Sequence, residues 1–560
     1  MRFNYFINNR LFIVCAIIVF FITTYFRLFQ LASIPPSLNP DEVAFGYNAY
    51  SILKTGRDEF GTLFPIYFRS YDDNKMPALV YLTVGSLALF GANEFGVRFP
   101  SAFLGILTVL LTGLLTWSIC KNKWIALTAS FLLSVLPWHV QYSRIALDPN
   151  VGLFFLVLAS YVFIYSIKNN PQYVWVSVVI FFCAAFSYLS SRVLSVILLT
   201  SLFILFMKNI RIFSKKHLIV LAIILTLFYS ILFLDAYVHN IHVRFHKVNI
   251  FNSPQLFYAV DQNRKEYEFD TKALHTSPYL QIVHTSQFMI VPSVVVHGYL
   301  SHFDPQFLFT YSNKKQPFTP LVGLCYLFML PLLIVGIYYV TAFFRSPESY
   351  FILLWLITAP IPASVTWDIP HPIRSLNMVI PLVILASFGL YGVFRNLKKH
   401  NVMRVVFGIV MLTSIIQSVI HFNHQYTVHL STDRSQDWAY GRKQMVEYIT
   451  ENRNMFDRIV ISSHLYASHI YILFHAGYDP LAYLRLGGTK SGIWNSPLNS
   501  FDTYEFGLLS KTYPSDMRIL YIGRPHEFKT NSKSLYTIYY LDGTPAIFMT
   551  DDQSNVLMNK

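Results

Sequence analysis

Eleven stretches of this chain are apolar for long enough to cross a lipid bilayer as helices, and this limits its fold more than any other feature. A hydrocarbon core of roughly 30 Å takes about 20 helical residues. Runs of that kind lie at approximately 11–29, 97–119, 124–142, 150–167, 173–189, 192–207, 217–235, 320–342, 350–367, 376–394 and 403–421. Backbone polar groups in lipid must satisfy one another, so such runs fold as helices. The charge content agrees: 13% of residues are charged, against about 25% in an average soluble protein. The sequence predicts a polytopic α-helical membrane domain over 1–421 and an extracytoplasmic α/β domain over 422–560.

A twelfth apolar segment, Met76 to Phe90, is too short to span comfortably. If it stays at one surface, Lys121, Lys123, Lys168, Lys208, Arg211, Lys215, Lys216, Arg345, Arg395, Lys398, Lys399 and Arg404 all fall on the cytoplasmic side. That is the positive-inside pattern. Segments 30–96, 143–149, 190–191, 236–319, 368–375 and 422–560 then share the outer face. The net charge of +14 reads as this topology signal and not as a nucleic-acid surface. Arg2 and Arg10 precede the first run, which reads as a first span and not as a removed signal. Cys15, Cys120, Cys183 and Cys325 match no zinc or redox spacing. In the tail, Trp438 to Thr450 has helical periodicity, while 457–462, 518–523 and 535–541 read as strands.

The unusual polar clusters gather on the outer segments. Asn39-Pro40-Asp41-Glu42 has the form of a helix start with a capping box. Its Asp41 projects above an interfacial helix with one apolar face, well placed to take a proton from a bound hydroxyl. Asp72-Asp73-Asn74-Lys75-Met76-Pro77 opens the short apolar segment. Ser143-Arg144-Ile145-Ala146-Leu147-Asp148-Pro149-Asn150 and Trp367-Asp368-Ile369-Pro370-His371-Pro372-Ile373-Arg374 each join two spans. Carboxylates (Asp41, Glu42, Asp148) and cations (Lys75, Arg144, Arg192, Arg374) therefore share one leaflet. This mixture suits transfer from a lipid-linked sugar phosphate, in which cations stabilise the leaving phosphate and a carboxylate deprotonates the acceptor. It equally suits structural ion pairing or a path for ions.

In these stretches the chain resembles the GT-C membrane glycosyltransferases of the protein O-mannosyltransferase and lipid A aminoarabinose transferase superfamily. The stretches are Asp41-Glu42-Val-Ala-Phe-Gly-Tyr-Asn-Ala-Tyr50, Asp73-Asn74-Lys75-Met76-Pro77, Glu94-Phe-Gly-Val-Arg98-Phe-Pro100, Ser143–Asp148, Pro370–Arg374 and Trp438–Lys443. The resemblance implies a GT-C fold and a polyprenyl-phosphate sugar donor acting at the outer face of a multi-pass plasma-membrane protein. It implies a catalytic set of Asp41, Glu42 and Asp148, with Asp41 as base and inversion at the sugar. The donor phosphate is expected on Lys75, Arg144, Arg374 and His371. The acceptor stays open between protein, lipid and glycan, because segment 236–319 is too short for the β-trefoil of eukaryotic protein mannosyltransferases. No cofactor is assigned, and a divalent cation is left open as an assistant. His239, His242 and His246 have metal-like spacing without nearby carboxylates, so no metal site is expected. His297 and His302 flank Tyr299 in either a cavity-lining helix or an aromatic belt. The competing reading is a transporter or flippase of a lipid-linked sugar, which would place ionisable groups at mid-membrane.

Overall fold

The computed structural model describes residues 2–70, 73–210, 214–238, 249, 258, 261–262, 265, 287–310, 318–493, 496–514, 516–530 and 532–557. His239, His242 and His246 lie outside these, as does Asp72. The principal helices are α1 (Arg2–Leu28), α2 (Pro40–Thr55), α3 (Pro77–Phe90), α4 (Glu94–Cys120), α5 (Lys123–Val135), α6 (Pro137–Ser143), α7 (Asp148–Asn169), α8 (Val174–Ala185), α9 (Leu189–Leu205), α10 (Lys215–Val238), α11 (Gln287–Ser301), α12 (Met329–Phe343), α13 (Pro347–Thr358), α14 (Val379–Asn396), α15 (Asn401–His424), α16 (Arg442–Asn452) and α17 (Ser468–His475).

Each apolar run of the sequence is met by a helix. Among the described residues six helical stretches are long and apolar enough to cross a membrane, or seven if the bent pair α5–α6 counts as one. Helices α8, α9, α12 and α13 stand where spans are expected but have 12, 17, 15 and 12 residues. Proline sets part of this difference: Pro360 and Pro362 follow closely on the end of α13 at Thr358. Proline also explains the 61° bend between α5 and α6, since Pro137 opens α6 and removes a backbone donor. Helices α12 and α14 cross with their backbones in close approach. A Cβ on Gly336 would lie 1.9 Å from the carbonyl oxygen of Leu385, and one on Gly389 would lie 1.9 Å from that of Leu332. Only glycine lets two backbones approach so closely.

Residues 458–550 carry a five-stranded sheet of β3 (Arg458–Ser462), β4 (Tyr504–Gly507), β5 (Ile519–Gly523), β6 (Tyr536–Tyr539) and β7 (Pro545–Thr550), in the order β4-β3-β5-β7-β6. Strands β3, β4 and β5 are parallel, and β7 runs antiparallel to both β5 and β6. The three strands read from the sequence are β3, β5 and β6. Helix α16 starts at Arg442, later than its periodicity predicts, because Gly441 takes a left-handed φ of 95°. A small antiparallel pair, β1 (Phe68–Ser70) with β2 (Asp73–Lys75), precedes α3.

Helix α2 joins the bundle to this sheet. Asn39 caps it, Pro40 fills its first position, Glu42 completes the capping box, and Gly56 closes it in the left-handed conformation. The sequence gives α2 one apolar face, yet it is buried nearly all round, from Glu42 through Ala49 and again at Ser51 and Ile52. The second cover is α17: a Cβ at Gly46 would meet Phe474 and Val97, each at 2.8 Å. One hydrophobic core therefore runs from α2, α3, α4 and α7 into the sheet.

Candidate active site

The first loop is held in place by two buried arginines. Arg98 donates from Nε to Glu42 Oε1 at 2.9 Å and from Nη2 to Glu42 Oε2 at 3.2 Å. Its Nη1 and Nη2 also reach the carbonyls of Leu31, Pro35 and Ser37. Glu42 further accepts from the backbone N–H groups of Asn39 and Ala146, at 3.1 and 2.9 Å. It is fully buried and closed in by these donors, so its geometry is that of a positioning residue. Arg144 behaves similarly. Its guanidinium donates to the carbonyl of Phe26 in the last turn of α1, to those of Phe29, Gln30 and Ile34 beyond it, and to Tyr426 Oη at 3.0 Å. A cation at the C-terminus of a helix finds its partners there. Arg192, at the start of α9, pairs with Asp235 at 2.7 Å and donates to Tyr67 Oη, tying the first loop to α10.

Asp41, next to Glu42, is different. Its side chain is 45% exposed and lines a cavity of about 220 Å³ with Gln141, Tyr142, Ile145, Leu147, Phe318, Ile373, Tyr426 and Trp438. Among the described residues of that lining Asp41 is the only carboxylate. The bend at Pro137 aims Gln141 and Tyr142 at the same space. Lys75, at the end of β2, donates from Nζ to Asp41 Oδ1 at 2.5 Å. The lysine is itself buried, with its ammonium 4.6 Å from the centre of the Phe45 ring.

The remaining expected residues, Asp148, His371 and Arg374, are not in the lining itself but lie within two positions of the lining residues Leu147 and Ile373. Asp148 is buried in the first turn of α7, beside the cavity-lining Leu147. Ile373 brings the 367–374 loop to the wall, and Arg374 donates from Nη1 to Thr366 Oγ1 and to the carbonyl of Trp367, both at 2.8 Å. His371 is buried, and its backbone N–H donates to His302 Nε2 at 3.2 Å. His302 must then carry its proton on Nδ1, which meets the Gly298 carbonyl at 2.8 Å. Burial lowers both imidazoles, His302 to about 4 and His371 to about 3, with the Arg374 charge adding to the second. His371 is thus neutral near pH 7. The structure brings together Asp41, Lys75, the Leu147–Asp148 turn and the Ile373 loop. Glu42, Arg98 and Arg144 form the frame beneath them. Among the described residues no cluster of His, Cys, Asp and Glu could hold a metal ion. Tyr426, Leu430 and Trp438 of the cavity wall come from a segment that the sequence marked only through Trp438. A π-helical turn over Gln425–His429 carries the helix on from α15 and includes Tyr426, and no hydropathy or turn pattern in the sequence marks it.

Residues 74–233 match the family described as dolichyl-phosphate-mannose-protein mannosyltransferase. An uncharacterized protein of Aquifex aeolicus (strain VF5) is 30% identical over 141 residues, which is 25% of this chain and 28% of that protein. The apo crystal structure of ArnT from Cupriavidus metallidurans superposes with a TM-score of 0.52 at 12% identity, covering 98% of each chain. The archaeal oligosaccharyltransferase AglB from Archaeoglobus fulgidus, in complex with an inhibitory peptide and a dolichol-phosphate, superposes with a TM-score of 0.50 at 15% identity. That match covers 84% of this chain, which spans 64% of the oligosaccharyltransferase. Both superpositions speak for the fold.

Proposed function

We propose that the chain is a GT-C glycosyltransferase of the PMT/ArnT family, a reading supported by the match over residues 74–233 and by the fold, and that it transfers a sugar from a polyprenyl-phosphate donor to an acceptor hydroxyl. One observation carries the reading. Asp41 is the carboxylate open to the cavity, and it is clamped by a buried lysine that a phosphate can claim.

The Lys75 ammonium donates to the Asp41 carboxylate at 2.5 Å, so the two groups hold each other in place. When the donor enters, its phosphate takes the Lys75 ammonium, and the Asp41 carboxylate is released to accept the proton of the acceptor hydroxyl. The hydroxyl oxygen attacks the anomeric carbon, the bond from that carbon to the phosphate oxygen breaks, and the phosphate leaves with the electron pair. The sugar is inverted, and no carboxylate nucleophile is needed. Lys75 offsets the charge growing on the phosphate. Arg374, Asp148 and the neutral His371 adjoin the lining residues Ile373 and Leu147 in the chain, and their role in this reading is to orient donor and acceptor. Glu42 and Arg144 act by holding the loop that carries Asp41. The apolar lining suits a lipid-linked substrate, and the acceptor is a hydroxyl of protein, lipid or glycan.

Placement in the membrane follows the charge pattern. Lys123 bonds Asn9 near the start of α1, and Lys168 at the end of α7 pairs with Glu348 at 2.6 Å. This basic end of the helices is opposite the end that carries Asp41, which supports a cytoplasmic basic rim and a cavity facing away from the cytosol. The test is reconstitution with polyprenyl-phosphate sugars. Asp41→Asn should lower transfer by about 10²–10⁴-fold, and full transfer in that variant removes Asp41 from the mechanism.

A further inference from the structure

Arg442 opens α16, is 3% exposed, and has an Nη1 with no hydrogen-bond partner. No carboxylate among the described residues pairs with it. Its charged neighbour is a second arginine, Arg524, and its other neighbours are Tyr466, Tyr471 and Tyr540. Burial, reinforced by the Arg524 charge, holds the Arg442 guanidinium below the usual arginine range, at about 10. Arg524 donates from its side chain to Tyr540 Oη. The nearby carboxylate, Glu527, is already engaged by Ser462 Oγ, His464 and the backbone N–H of Arg524. A buried cation without a counter-charge is costly to keep.

The sheet explains why these groups meet. Strands β3 and β5 are parallel, and β6, two reversals from β5, runs the same way. Their C-terminal ends therefore share one edge. Tyr466 follows β3, Arg524 follows β5 and Tyr540 follows β6. Open α/β sheets hold ligands at that edge. Helix α17 starts beyond β3 with no side-chain cap on its first N–H groups, which favours an anion there. The same edge adjoins the Asp41 cavity. Trp438, about one turn before Arg442, lines the cavity, and Tyr471 donates to the carbonyl of Leu38 at 2.8 Å, three residues before Asp41.

We propose that Arg442 and Arg524 form an oxyanion subsite, which binds a phosphate group of the acceptor while the acceptor's hydroxyl reaches Asp41. Two guanidinium forks offer the planar, multidentate geometry that phosphate oxygens take, and Tyr540, whose Oη accepts from Arg524, adds a hydroxyl donor. Lys75 lies in the first loop and not at this edge, so the donor and acceptor phosphates have separate cations. The term acceptor rests on the glycosyltransferase reading above; the anion site does not.

The test uses the full-length protein in detergent micelles with inorganic phosphate as probe, followed by phosphorus NMR line broadening and by thermal unfolding. Phosphate should broaden and should raise the melting temperature with wild type and with Asp41→Asn alike. Arg442→Gln should weaken that binding on the order of tenfold or more. In phosphate-free buffer the same variant should melt no lower than wild type, because it loses an unpaired charge and no bond. Absent phosphate binding, equal binding by Arg442→Gln, or a lower phosphate-free melting temperature would each overturn the proposal. If Arg442→Gln does not fold, Arg524→Gln takes its place, and unchanged phosphate binding in that variant is the overturning result. A second arm titrates polyprenyl monophosphate. Lys75→Gln should weaken it and Arg442→Gln should not; the reverse would assign the subsite to the donor and sink the acceptor claim. Transfer that persists in Asp41→Asn would refute the cavity chemistry alone and leave the phosphate result standing.

Discussion

Asp41 and Glu42 are neighbours in the chain, yet the first is 45% exposed at a cavity wall and the second is closed in by Arg98 and two backbone donors. Their substitutions should therefore fail in different ways. Arg98→Met leaves an ionised carboxylate in a sealed site, which costs about 3–5 kcal/mol. Asp41→Asn should leave the melting temperature near that of wild type while lowering transfer by about 10²–10⁴-fold. Thermal unfolding in micelles beside a transfer assay separates the two, and an equal loss of stability in both would make Asp41 a structural residue. The capping box was legible because its spacing is local. The destination of the arginines was not. Sequence supplies the sign of a charge but not its partner, and the partners of Arg98 and Arg144 are mostly carbonyls of residues 26–37. Arg144 consequently reads as a phosphate ligand, while the structure shows its guanidinium bonded to residues 26–34 and Tyr426.

At the scale of elements, the apolar runs located the helices, but their lengths depended on prolines and packing that a hydropathy count does not weigh. Strands β4 and β7 went unread for similar reasons: one has four residues, and the other opens on Pro545. Close helix approach is just as invisible until two glycines face each other. Gly389→Ala places a methyl against the Leu332 carbonyl and should lower stability by about 1–3 kcal/mol. Chemical unfolding of the purified variant checks this, and an unchanged midpoint would mean that α12 and α14 can separate freely. The junction of α2 with the sheet region carries a pH dependence of its own. Glu59 accepts from Asn48 Nδ2 at 2.9 Å and from Thr489 Oγ1 at 2.7 Å. Burial, opposed by those hydrogen bonds and by Lys75 and aided by Asp58, raises its carboxyl from an ordinary 4.5 to about 7. A raised folded value means that the native state holds its proton longer than the unfolded chain does. The stabilisation is then complete below about 4.5 and is lost as pH rises through about 7, with a swing of about 3 kcal/mol. Glu59→Gln should flatten the melting temperature between pH 5 and 8, and a slope equal to that of wild type would clear Glu59 of this role.

On the scale of the whole molecule, the sheet region packs against the elements that carry Asp41. Tyr471 reaches the Leu38 carbonyl, Thr489 reaches Glu59, and Lys443 pairs with Glu94 at the start of α4 at 2.7 Å. The shared core covers the second face of α2, the helix whose first turn holds Asp41. Trp438, which lines the cavity, comes from the same C-terminal part. Removing residues 434–560 would expose that face of α2 to water while leaving Asp41, Lys75 and Asp148 in the chain. Phe45, Tyr47 and Ile52 would lose their packing, and a buried aromatic side chain contributes about 1.5–3 kcal/mol. Such a chain should still insert in the membrane, since its apolar helices are intact, but α2 should become open to limited proteolysis and transfer should disappear. Cleavage near residues 40–55 that appears only in the truncated protein is the expected pattern. Undiminished transfer by the truncated chain would show that the bundle alone positions Asp41, and the coupling through α2 argued from Gly46, Tyr471 and Glu59 would have no functional weight.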